Sequence, residues 1–137
     1  MIEEWALLAE GAVQDARGGT TVVGINQNVH LAPELPTTTK RAIVAYLGLP
    51  DDVRPTEKFS AVLAVNGPGG DAVFVHSGEG VVGEKIWPDT PSSMSVMVEF
   101  PLTLHEYGRY EISVRVQVPH RPDFERVISF YVIKNSN

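Results

Sequence analysis

Apolar and polar residues alternate along this chain, most clearly from Tyr110 to Val118. Tyr110, Ile112, Val114, Val116 and Val118 are apolar, while Glu111, Ser113, Arg115 and Gln117 between them are charged or polar. A strand sends successive side chains to opposite faces, so a period of two over this length predicts a half-buried β-strand. One dry face and one wet face suit an antiparallel sandwich or barrel. Met94, Val96, Val98 and Phe100 alternate with Ser93, Ser95, Met97 and Glu99 and predict a second strand, stopped by Pro101; residues 102–107 then read as a loop or short helical turn.

Residues 5–9, 41–49 and 127–133 carry apolar side chains at both parities. A strand of this kind is covered on both sides, whereas a two-sheet sandwich covers only one face of each strand. The surplus apolar surface is therefore expected to meet loops or another chain. Residues 59–65 and 72–75 flank the cluster Asn66-Gly67-Pro68-Gly69-Gly70-Asp71 and predict a β-hairpin. Pro33 and Pro36 with Thr37, Thr38 and Thr39 mark a loop, and residues 50–55 a turn-rich connection. Residues 77–93 are rich in Gly and Pro and form the longest loop candidate, with Trp87 inside it as either a lid on the sandwich or an exposed contact residue. Seven to eight strands separated by short turns, with hardly any helix, predict an all-β, antiparallel Greek-key sandwich in one domain spanning residues 1–137.

Residues 2–16 stay open on periodicity alone. Ile2, Trp5, Ala6, Ala9, Ala12, Val13 and Ala16 recur at helical spacing, but a turn at residues 15–19 and the β-branched residues 20–25 favour a hairpin. The run W-A-L-L-A-E-G-A-V-Q-D-A-R-G-G-T-T-V-V-G-I at residues 5–25, with G-R-Y-E-I-S-V-R-V at 108–116, resembles a bacterial family of small uncharacterised proteins. That resemblance implies an immunoglobulin-like β-sandwich, a first strand at residues 5–12 and a hairpin turn at Gly18-Gly19. It implies no activity. Gly19 stands where the family more often has lysine, and residues 26–30 lack its aromatic. Glu10 then falls within an apolar strand, as a buried carboxylate or, on the plainer reading, an outward residue or one paired with a cation such as Arg115.

Composition narrows the function. The chain has no cysteine, which removes disulfides, thiolate catalysis and zinc-thiolate sites. Its net charge of −6 is scattered without a basic cluster, so nucleic acid is not an expected partner. Glu3 and Glu4 precede an apolar run too short for a secretory leader, and no window nears the roughly 20 apolar residues that span a bilayer. A cytoplasmic protein with no membrane partner is the expectation.

The candidate motifs lack the context that chemistry requires. Gly78, Gly80 and Gly83 form a G-x-G-x-x-G, but Pro88 would break the helix that must follow a dinucleotide site. His30, His76, His105 and His120 are far apart in sequence, with none of the close spacings of a metal site, and Ser77 has no nucleophile-elbow context. Tyr107-Gly108-Arg109-Tyr110 is similar to the start of a late sandwich strand in which a tyrosine ties a corner. No catalytic, metal-binding or cofactor-binding residue is expected, and Trp87 is the candidate ligand-binding residue. The expected function is a non-catalytic protein-interaction or structural module, self-associating or bound to a partner protein, extending to a subunit of a larger assembly of phage type. The alternatives are a small-ligand or carbohydrate-binding sandwich using the 77–93 loop and, third, an enzyme with a histidine-containing site.

Overall fold

A computed structural model describes residues 3–14, 20–25, 28–83, 89 and 91–135. Nine strands are formed among them: β1 (Glu4–Gln14), β2 (Thr20–Ile25), β3 (Val29–Ala32), β4 (Thr37–Gly48), β5 (Lys58–Asn66), β6 (Ala72–Val81), β7 (Ser93–Leu104), β8 (Gly108–Gln117) and β9 (Phe124–Lys134). Sheet I has the order β2-β1-β4-β7 and sheet II the order β3-β9-β8-β5-β6. All pairings are antiparallel except that of β3 with β9, which is parallel. With β4, β5, β8 and β9 in the places of strands B, C, F and G, the arrangement is an immunoglobulin-like Greek-key sandwich.

The alternating strand at the C-terminal end forms the centre of sheet II. Tyr110, Ile112, Val114 and Val116 are fully buried, whereas Glu111, Arg115 and Gln117 are exposed. They meet Phe124, Phe130 and Val132 of β9, Leu63 and Val65 of β5, and Ile43, Leu47, Phe100, Leu102 and Leu104 of sheet I in one core between the sheets. Immunoglobulin domains brace this region with a disulfide; here the cysteine-free chain does so with aliphatic and aromatic packing alone. Tyr110 supplies the corner. Its hydroxyl donates to the Glu106 carbonyl at 2.8 Å and accepts from the Glu106 N–H at 3.3 Å, and its ring meets Phe130 edge-on.

Four expectations change. β7 does not stop at Pro101 but runs on to Leu104, because Pro101 lies on an edge strand, where a missing N–H can be tolerated. The alternation also continues, with Phe100, Leu102 and Leu104 inward. Thr37, Thr38 and Thr39 are not loop residues; they open β4 by pairing with Leu104, Thr103 and Leu102. The ninth strand, β3, is a four-residue edge segment whose partner lies about a hundred positions away on β9. Finally, the 77–93 segment is not a loop from its start: β6 extends to Val81, with Gly78 opposite Ala61 and Gly80 opposite Phe59. The predicted hairpin of residues 5–12 with 20–25 is present as β1–β2, while its turn at Gly18-Gly19 lies outside the described residues.

Candidate functional site

The site of most interest follows from the inward positions of β6. In the β5–β6 register, Leu63 faces His76, Ala61 faces Gly78 and Phe59 faces Gly80, so His76, Gly78 and Gly80 share the face turned toward sheet I. Two of these three have no side chain. At Gly80 the vacancy is filled from across the strand, since an added Cβ would come within 2.7 Å of the Phe59 ring. At Gly78 it is not: the nearest atom to an added Cβ is His76 Nε2, at 3.8 Å.

The unfilled space is a cavity of about 260 Å³ between the edge strands β6 and β7. Its lining is largely apolar, with Leu63, Val96, Val98, Val114 and the Phe59 ring, and His76 is the polar side chain on the inward face beside Gly78. This is a socket with an apolar interior and a polar group, the general form of a binding pocket. Among the described residues no group of three or more His, Cys, Asp or Glu is placed to hold a metal ion.

The remaining candidates lie elsewhere. Trp87 lies outside the described residues. Gly78 and Gly80 sit in an edge strand rather than at the start of a helix, and the residues directly after Gly83 lie outside the described residues. His30 is on β3, where burial first and the nearby Arg41 charge second hold its pKa below the usual value. Arg41 is itself buried on the inner face of β4. It donates to the Thr39 hydroxyl and the Lys40 carbonyl and lies 5.3 Å from the centre of the Phe130 ring. Burial lowers its pKa, and the Glu10 carboxylate works in the opposite direction.

Glu10 is exposed, and its cationic neighbour is Arg41 rather than Arg115. Arg115 instead pairs with Asp123 at 2.7 Å and Glu125 at 3.2 Å, and the hydrogen bond from Arg115 holds the Asp123 carboxyl below its ordinary range. Arg109 is exposed, against Ser129 and Glu111.

At one pole of the sandwich His120, with φ of 68°, stands 3.7 Å from Asp52 and 3.5 Å from Glu57. Next to it Arg121, half-buried as a residue but with its side chain only 3% exposed, pairs with Glu4, which also holds Arg126. These contacts tie the β8–β9 turn to β1 and to the 50–57 connection. His105 lies exposed just beyond β7.

The outer face of sheet I carries a second apolar cluster. Leu7 of β1, Val44 of β4 and Met97 of β7 lie in one cross-strand row, turned away from the main core. Ala12, Ala42 and Val22 pack with them, and one register step away Trp5 stacks on Tyr46 with ring centres 5.5 Å apart. Sequence reading anticipated two-faced strands, but not the cavity. The signal that could have found it is the pair of glycines two residues apart, which leave the same face bare once the segment is read as a strand rather than a loop.

No protein-family model matches the chain, and no curated protein matches it. Among solved structures it is similar to the C-terminal domain of wzt, with 9% sequence identity and a TM-score of 0.49 over 98% of this chain and 79% of that one.

Proposed function

We propose that this protein is a non-catalytic protein-interaction module that associates through the outer face of sheet I, with a second copy of the chain as partner. The observation that carries this reading is the Trp5–Tyr46 stack on the outer face of sheet I, with the half-buried Leu7 and Met97 beside it around the buried Val44 and Ala42, an apolar face that a second chain can cover. Trp5, on that face, is 39% exposed. The sign of the surface agrees with a protein partner rather than a polyanion, since the chain carries a net −6.

Light scattering on size-separated protein provides the test. The expected result is a mass that is a multiple of 15.0 kDa, returning to the single-chain mass in Leu7→Glu while the β-sheet circular dichroism is kept. A strict monomer at every concentration, with no change on substitution, rejects self-association through this face. A small-ligand reading has its own support in the β6–β7 cavity, whose lining includes Gly78 and Glu79 from the start of the 77–93 segment.

A further inference from the structure

We infer that the β6–β7 cavity receives one apolar side chain from an extended segment of a partner protein that adds as a strand to the free edge of β6. This rests on the interaction-module reading and assigns it a second surface and a ligand class. β6 is the last strand of sheet II, and among the described residues nothing pairs with its outer edge. Nearly every one of its ten residues is exposed, with Val75 at 62% and Val81 at 59%. An unpaired edge is a template for another chain, and proteins usually blunt it with lysine, proline or a bulge. β6 has no lysine or proline, and the register shift in the hairpin lies at Val65/Asn66, close to the turn and away from this edge.

The cavity gives this edge its selectivity. In strand addition the main chain supplies hydrogen bonds, while pockets for alternate side chains supply recognition. A strand laid along β6 places alternate side chains on the inward face, and at the level of Gly78 that face opens into the socket. Its volume, about 260 Å³, falls below the roughly 300–1,000 Å³ of pockets that enclose whole drug-sized ligands, and suits a single large aliphatic or aromatic side chain. Leu63, Val96, Val98 and Val114 form the apolar lining that such an anchor needs.

Charge fixes the neighbouring position. Residues flanking the anchor point to the outer face, the side on which Glu79 projects beside Ser60. Glu79 is the only acidic or basic residue of β6 other than His76, on a chain of net charge −6. The segment is therefore an extended one with a leucine- or phenylalanine-sized anchor flanked by lysine or arginine.

The probe is a fluorescein-labelled eight-residue peptide of alternating threonine and valine with a central leucine flanked by lysines. The expected result is saturable binding with amide NMR shifts confined to residues 72–81 and 93–98. Replacing the peptide leucine by alanine, or Gly78→Leu in the protein, weakens binding at least tenfold, with thermal stability preserved because the added side chain enters open space. Glu79→Lys should weaken the lysine peptide and favour a glutamate-flanked version. Undiminished binding to Gly78→Leu, shifts elsewhere, or no binding at concentrations up to about 1 mM overturns the inference. So does uptake of a small hydrocarbon by the cavity with no binding of the peptide. Because Leu7→Glu reports on the sheet I face independently, a failed peptide experiment with intact self-association removes only the β6 assignment.

Discussion

Tyr110 shows how much one side chain contributes to this fold. Its ring is buried against Phe130, and its hydroxyl joins both main-chain groups of Glu106, so a phenol fixes the start of β8. Burial, as the largest cause, pushes its pKa above the ordinary value near 10, because an ionised phenolate would lose its solvation there. A raised folded-state pKa means that the unfolded chain gives up this proton first. The stabilisation is thus complete below pH about 10 and is lost as pH rises through the folded value. Tyr110→Phe is expected to cost about 1 kcal/mol at neutral pH, the net worth of a buried hydrogen bond. It should also flatten the alkaline limb of a denaturant-midpoint against pH curve. An unchanged alkaline limb would show that another group controls it. The residue types at Tyr107-Gly108-Arg109-Tyr110 made the corner legible in the sequence. The pairing of Glu10 was not, because which cation lies near an exposed carboxylate depends on which strand pairs with β1, here β4, and no local pattern encodes that.

Among the elements, the strands whose two faces differ were the easiest to read. β8 matched its alternation residue for residue, and the β5–β6 hairpin followed from its turn cluster, closed by the Gly67 N–H to the Asp71 carbonyl at 2.8 Å. β3 was hidden because four residues hold too little pattern, and its pairing depends on a distant strand. The second half of β6 was hidden because His76-Ser77-Gly78-Glu79-Gly80 looks like turn chemistry, yet cross-strand partners hold it in the sheet. Here tertiary pairing overrides local preference. The two glycines of this strand should therefore behave in opposite ways. Gly80→Ala drives a Cβ into the Phe59 ring and is expected to destabilise by about 1–3 kcal/mol, in the range of overpacking. Gly78→Ala meets only ordinary contact and should be neutral or stabilising by up to about 1 kcal/mol, because glycine is poor in strand interiors. Urea midpoints of the two variants measure the contrast, and equal losses would contradict the described register.

Across the whole molecule, a core sealed between two sheets coexists with apolar surface outside it, on a body whose charge is uniformly signed in excess. Two copies meeting face to face on sheet I would bury Trp5, Leu7 and Met97, but would also bring together two net charges of −6. The attraction is short-ranged and apolar; the repulsion acts over a Debye length, about 10 Å at 0.1 M salt and about 3 Å at 1 M. Salt should therefore promote association by screening the repulsion while leaving the apolar contact intact, and sulfate should act more strongly than chloride because it favours burial of apolar surface. Sedimentation equilibrium across a sodium chloride series is expected to show the associated fraction rising with concentration, and Leu7→Glu should lower it at every point. The Lys40–Glu99 pair at 2.9 Å sits at the rim of the same face. If association instead weakens as salt is raised, ionic contacts such as this rim pair hold the copies together, and the apolar row is not the interface.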